Sequence, residues 1–222
     1  MKRLTKLLTI IFVALLCYQT NAQTIGIKGG LNLATLNEKD NDGTYSDNYD
    51  MNPGFHFGLT VDVPLNEFLS FEPGLLLTTK GMKYEDELIG LNLSGHANLY
   101  YIDVPLNLKA THEFGSGVKL YGTIGPYVGM GLSGKIKATL EFQGDEQTEE
   151  EEIKWGSNQD EDTFKRLDMG LTFGAGVEIN SILLGLSYDL GLSNISTNQD
   201  NGMSVKNRVL KFSVGYRFLS KN

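Results

Sequence analysis

The sequence predicts an all-β fold, an eight-stranded antiparallel up-and-down transmembrane β-barrel. Three observations predict it. After residue 23, eight stretches alternate apolar and polar residues with period two, and none holds a convincing helical period. The connections between them run long, short, long, short, long, short, long. The apolar face is large and almost free of charge, whereas the other face mixes charges of both signs with glycines.

The chain opens with a different signal. Lys2, Arg3 and Lys6 precede an apolar run over residues 7–17 (LLTIIFVALLC), and Thr20-Asn21-Ala22 offers a small residue before Gln23. This reads as a secretory signal peptide over residues 1–22, too short for a transmembrane helix, followed by one barrel domain over 23–222. Leu15-Leu16 before Cys17 lacks the small residue of a lipidation site. Loss of the three basic residues takes Lys+Arg from 19 to 16 against 27 Asp+Glu, so the net charge goes from -8 to -11. That balance argues against nucleic acid as a partner. Cys17 is the single cysteine and leaves with the signal, which excludes a disulfide or thiolate metal site in the mature chain.

The stretches are 24–34, 54–65, 69–80, 99–111, 118–131, 165–179, 182–192 and 207–218. Each is near or above the roughly 9–11 residues that a tilted strand needs to cross a bilayer. In the first, Ile25, Ile27, Leu31 and Leu33 alternate with Gly26, Lys28, Gly30 and Asn32. In the second, Phe55, Phe57, Leu59, Val61 and Val63 alternate with His56, Gly58, Thr60 and Asp62. The fourth alternates Ile102, Val104, Leu106 and Leu108 with Asp103, Asn107 and Lys109. The sixth opposes Leu167, Met169, Leu171 and Phe173 to Arg166, Asp168, Gly170 and Thr172, and ends on Val177-Glu178-Ile179. The seventh opposes Leu184, Leu186, Leu190 and Leu192 to Gly185, Ser187, Asp189 and Gly191. The eighth, R-V-L-K-F-S-V-G-Y-R-F, opposes Leu210, Phe212, Val214, Tyr216 and Phe218 to Lys211, Ser213, Gly215 and Arg217.

Eight strands leave little interior room for large apolar side chains, so the apolar face points outward to lipid. The polar face then encloses Lys28, Lys109, Lys119, Arg166, Lys211 and Arg217 with Asp62, Glu72, Asp103, Asp168, Glu178 and Asp189. An unpaired buried charge is costly, so these twelve residues are expected to form a lumen charge network. Such an interior is filled rather than porin-like. Pro73, Pro105 and Pro126 each delete a ladder donor, and bulges or different strand ends are expected there.

The long connections are 35–53, 81–98, 132–164 and 193–206; the short ones are 66–68, 112–117 and 180–181. Long outer loops and short periplasmic turns fit an outer-membrane barrel. Phe68, Phe71, Phe114, Tyr216 and Phe218 are then expected at the inner rim, and Phe55, Tyr84, Tyr100 and Phe164 at the outer one. Residues 141–152 (EFQGDEQTEEEE), with Asp160-Glu161-Asp162, make the third long loop strongly acidic. Such a run is expected to be solvated and mobile, although dense carboxylates also suit Ca²⁺ or Mg²⁺. Asp40, Asp42, Asp47 and Asp50 in the first loop lack the glycine and final Glu of an EF-hand.

Of the three histidines, His56 falls on the lumen side near the height of Asp189, where with a serine it offers the elements of a nucleophile–base pair. No G-x-S-x-G pattern accompanies it. A hydrogen-bonded lumen histidine is the expectation. His96 falls in a long loop and His112 at a periplasmic turn.

Residues 26–34 (GIKGGLNLA), 71–77 (FEPGLLL), 101–109 (YIDVPLNLK), 125–129 (GPYVG) and 168–177 (DMGLTFGAGV) resemble the small outer-membrane β-barrel family of Bacteroidetes, the PorT-like group. The resemblance spans nearly all of 24–218 and implies an eight-stranded barrel in the outer membrane. The expected role is non-enzymatic, with a plugged polar lumen and acidic surface loops for structural or surface-interaction work. Its partners would be outer-membrane lipid, and envelope proteins or divalent cations at the acidic loops. No cofactor, resident metal or catalytic residue is expected. A soluble lipocalin-like binder of small ligands is the alternative reading, and a lipid-modifying outer-membrane hydrolase is the third.

Overall fold

A strand with one lipid face and one interior face satisfies its backbone polar groups in a membrane only when the sheet closes on itself. The computed structural model describes residues 23–46, 49–88, 91–115, 117–142 and 145–218. The expected signal peptide, with Cys17, lies outside the described residues, as do Asp47, Ser116, Gln143-Gly144 and the tail from Leu219. The strands are β1 (Thr24–Lys39), β2 (Tyr49–Asp50), β3 (Asn52–Pro64), β4 (Leu69–Leu88) and β5 (Leu91–Glu113). They continue as β6 (Val118–Phe142), β7 (Asp145–Glu152), β8 (Leu167–Ile179), β9 (Ile182–Gly191) and β10 (Ser204–Arg217). Eight of them close a ring in the order β1-β3-β4-β5-β6-β8-β9-β10. β10 returns to β1, and every pairing is antiparallel. β2 adds to β4 and β7 to β6 outside the ring.

The apolar set faces outward. Leu31, Phe57, Leu75, Ile124, Met169, Leu184 and Phe212 are exposed, whereas Asn32, His56, Asp103, Lys109, Asp189 and Lys211 are buried. Val214, 59% exposed, tests this wall. Val214→Arg is expected to cost about 2–4 kcal/mol if it sits near the bilayer midplane, read as a lower urea midpoint in lipid vesicles. Gly215→Ser adds an inward atom 3.2 Å from the Ile27 carbonyl oxygen and is expected to cost less.

The prolines interrupt hydrogen bonding without shifting register. Thr60↔Gly74 and Val63↔Phe71 flank Pro73 in one register, and Pro73↔Leu106 and Leu76↔Asp103 flank Pro105 in another. Pro105↔Tyr127 and Leu108↔Ile124 do the same around Pro126. The expected bulges are therefore absent there; the β5–β6 register shift lies instead at Tyr100/Tyr101. A missing N–H costs one ladder bond, whereas a bulge would turn the faces over.

Two long connections are largely strand. β4 and β5 stay paired out to Leu88↔Leu91, and β5 and β6 to Leu91↔Phe142. The acidic run, expected to be mobile, forms β7 along β6 over Asp145–Glu152. Register explains how so poor a strand-former is held: Glu152 faces Lys135 and Glu150 faces Lys137, and opposite charges directly across a ladder stabilise it. The result is a sheet of β4, β5, β6 and β7 standing beyond the long-loop rim.

At that rim the interior becomes apolar. Leu36, Leu99, Tyr101, Ile153, Ile195 and Val205 form a buried cluster, and Met82, Ile136, Trp155, Phe164 and Met203 pack on it. Phe164, expected in the outer aromatic girdle, belongs to this cap, and Tyr84 lies on the upright sheet against Tyr49. The loop segments are hydrogen-bonded down onto the wall, Gly131 N–H to Arg166 O, Ile153 N–H to Gly134 O and Ile195 N–H to Val205 O.

Candidate functional site

Inward alternation from the strands brings most of the twelve expected charges together. Two ion-pair layers cross the lumen. The upper one centres on Lys80, whose Nζ lies 2.9 Å from Asp168 Oδ2 and 3.0 Å from Asp103 Oδ1. The same ammonium sits over the rings of Tyr101 and Tyr127, 4.6 and 4.4 Å from their centroids. Asp168 also accepts from Tyr127 Oη, Asn207 Nδ2 and Ser193 Oγ. Asp103 continues toward Lys211 at 3.9 Å, and Lys211 pairs with Asp189, which accepts from Thr172 Oγ1 at 2.8 Å.

The lower layer lies toward the short turns. Lys109 Nζ is 3.3 Å from Asp62, 3.4 Å from Glu72 and 3.6 Å from Glu178. Arg217 joins Asp62 at 3.0 Å and Glu178 at 3.1 Å. Tyr121 lies under Lys109, 4.8 Å from Nζ to centroid. Its hydroxyl occupies the space over Gly176 and Gly185, where an added Cβ would come within 2.4 and 2.5 Å of it. Wall glycines thus make room for aromatic side chains in the lumen.

Lys28 lies between the layers, lines both lumen cavities and carries no ion pair among the described residues. Two expected members fall elsewhere. Lys119 pairs with Glu113 at the short-turn rim, with its side chain 36% exposed. Arg166 is exposed at the mouth and donates to Gly131 O. Both sit at strand ends, where alternation no longer sends a side chain into an enclosed interior. Lys80, Tyr101, Tyr121 and Tyr127 were not among the expected residues. Lys80 has the parity of Glu72 along β4, and that parity is the signal that finds it.

His56 is buried, its Nδ1 2.7 Å from Asn32 Oδ1 and its Nε2 3.0 Å from Ser213 Oγ. Asn32 Nδ2 donates to the carbonyls of Phe55 and Thr79, which fixes Oδ1 as acceptor. Nδ1 therefore carries the proton, and Nε2 accepts from Ser213. The connectivity matches a nucleophile–base–orienter chain. However, the adjoining cavity measures about 20 Å³, room for about one water. A second lumen cavity, beside Asp62, Tyr121 and Arg217, is of the same size.

Beyond the rim, Glu150 accepts a hydrogen bond from Lys135. That bond holds the Glu150 carboxyl below its ordinary value near 4.5 and the Lys135 ammonium above its own. A lowered folded-state value stabilises β7 docking above the unfolded value, and that stability is lost as pH falls through the folded one. Once corrected for the intrinsic pH dependence of exchange, the protection of β7 amides is therefore expected to fall as pH drops below the ordinary Glu150 value near 4.5, read by hydrogen–deuterium exchange. Among the described residues, no group of three or more His, Cys, Asp and Glu side chains converges on a metal position.

The chain is similar to several solved outer-membrane proteins. One is Ail, the attachment invasion locus protein of Yersinia pestis, solved with the heparin analogue sucrose octasulfate. The two are 18% identical over 88% of this chain and 99% of that one, with a TM-score of 0.37. Neisserial surface protein A is 16% identical over 87% and 95%, with a TM-score of 0.38. The outer membrane protein OprG from Pseudomonas aeruginosa is 14% identical over 89% and 96%, with a TM-score of 0.41. No curated protein matches the chain. The family described as the outer membrane protein beta-barrel domain matches residues 18–197. With a closed ring of eight strands that is apolar outside and charged inside, this chain belongs to that family of outer-membrane β-barrels and resides in the outer membrane.

Proposed function

We propose that this protein is a non-enzymatic, non-conducting outer-membrane platform that carries an acidic sheet at the cell surface. The observation that carries the reading is the closed lumen. Two ion-pair layers lie beneath an apolar cap, and the two lumen cavities measure about 20 Å³ each. A porin path needs a continuous water column, and eight strands leave none once the interior is filled. A hydrolase needs room for an acyl chain beside Ser213 and His56, and the cavity there admits about one water.

What remains accessible is the upright sheet, with all eight residues of β7 exposed. Envelope proteins or divalent cations suit its carboxylates. The segments over 26–34, 101–109 and 168–177 support placing the chain in the PorT-like group of Bacteroidetes. Planar bilayers holding the mature protein are expected to stay silent under applied voltage, and stepwise ion currents would overturn the reading. Cells carrying His56→Ala are expected to keep an unchanged lipid A profile; an altered profile would point to hydrolase chemistry instead.

A further inference from the structure

The long-loop rim sorts its outward charges by side. On the upright sheet, Asp50, Glu85, Glu150 and Glu152 lie around Lys83 and Lys135, so that arc is net acidic. β10 and β1 occupy the opposite arc of the ring. There, register sets Arg208 opposite Thr35, Lys206 opposite Asn37 and Ser204 opposite Lys39. These rows face outward, because Val205, Asn207 and Val209 between them are buried. On its other flank Arg208 meets Leu190 of β9, and the exposed Leu192 follows. Among the described residues, no carboxylate stands in these rows.

The carboxylates nearest in sequence are engaged elsewhere. Asp189 pairs with Lys211 in the lumen, and Glu38 accepts from Tyr49 Oη. Asp40 and Asp42 lie beyond the last row, where Tyr45 and Asn201 donate to them. The side chains of Lys206 and Arg208 carry no ion pair or hydrogen bond among the described residues, and Nη1 of Arg208 is buried without a partner. A partly desolvated guanidinium without a counter-charge is costly, and its paired N–H donors match two oxygens of a phosphate. The heights fit lipid. Below the Arg208 row come Leu33 and Leu210, then Leu31, Phe55 and Phe212, exposed on the lipid-facing wall. Arg208 lies about 7 Å and Lys206 about 13 Å beyond Leu210 along a strand, and less once the strand tilts. Headgroups extend about 5–7 Å beyond the hydrocarbon, and a lysine side chain reaches down to them.

We propose that Arg208 and Lys206 bind the phosphate of a phosphorylated lipid of the outer leaflet, with Arg208 as the fork and Lys206 closing on the phosphate from above. This site is separate from the lumen and from the acidic sheet; it goes beyond the platform reading and stands on outer-membrane location alone. Two cations without a facing acid supply the charge complementarity, and continuity with the lipid-facing wall selects a lipid over a soluble partner.

The test uses the mature chain in phosphatidylcholine nanodiscs doped with diphosphoryl lipid A, or with the same lipid stripped of its phosphates. Lipid A retained after detergent extraction is counted by native mass spectrometry. Wild type is expected to retain the phosphorylated lipid and not the stripped one. Arg208→Gln with Lys206→Gln is expected to lower retention about tenfold. Arg208→Lys with Lys206→Arg keeps both charges and is expected to hold most of it. Lys137→Gln, on the acidic arc, is expected to leave it unchanged, and heat-shifted gel mobility confirms that each variant is folded. Equal retention of the two lipids, wild-type retention by the glutamine pair, or an equal loss in Lys137→Gln would overturn the proposal.

Discussion

Lys80→Met is expected to destabilise the barrel by about 3–5 kcal/mol, the range for removing one partner from a buried ion pair. The side chains of Lys80 and Asp168 are fully buried, and that of Asp103 nearly so. Without the ammonium, two carboxylates face each other in a medium that screens them poorly. They are not equally exposed to the loss. Asp168 keeps donors from Tyr127, Asn207 and Ser193. Among the described residues, Asp103 keeps only Lys211, at 3.9 Å. Asp103→Asn is therefore the change expected to rescue Lys80→Met best, because it removes the charge left with the weakest support. Asp168→Asn should rescue less. Urea unfolding of wild type, both single variants and the double variant in lipid vesicles measures the coupling as a cycle. A Lys80→Met barrel as stable as wild type would show that the upper layer contributes nothing to holding the strands together.

Period two made most of this structure readable. It assigned Asp103 and Lys109 to one side of β5 and Ile102 and Leu108 to the other, and the closed sheet keeps both assignments. The short connections were equally legible, since Asn180 takes a positive φ of 55° at the two-residue turn between β8 and β9, as tight hairpins require. Two kinds of feature were hidden. The first is strand continuing past the membrane. Alternation persists there through Met82, Leu93, Ala97, Ile136 and Leu140, but glutamates interrupt it, and charge density outweighed register in the reading of 141–152. Pairing with β6 supplies the lysines that the local sequence lacks. The second is the cap. Leu36, Leu99 and Val205 share the parity of the lumen charges, so alternation alone marks them as inward. Nothing local marks Ile153 and Ile195 as their partners, because that contact joins loops far apart in the chain.

In the proposed platform the cap and the charge layers act as two barriers in series, and one glycine separates them experimentally. A Cβ on Gly131 would sit 2.4 Å from Cζ3 of Trp155 and 2.6 Å from its Cη2. Trp155 stacks edge-on against Tyr101 at 5.4 Å and tilts against Phe164 at 6.4 Å. Gly131→Leu leaves no place for the indole, which must swing out and loosen Phe164 and Ile153 with it. The expected cost is about 3–5 kcal/mol, that of taking an aromatic residue out of a core. Trp155 is the single tryptophan of the chain, so its emission reports the event directly, moving to longer wavelength as the ring meets water. Protease cleavage between 153 and 164 should rise with it. Gly122→Leu is the matched control. Gly122 faces lipid, and its Cβ would meet only the Gly174 carbonyl oxygen, at 3.9 Å; emission and stability should hold there. Bilayers carrying Gly131→Leu should nevertheless stay silent, because Lys80 with Asp103 and Asp168 still closes the lumen beneath the opened mouth. Current through Gly131→Leu would make the cap the sole barrier, and an unshifted emission at wild-type stability would mean that Trp155 is not seated on Gly131.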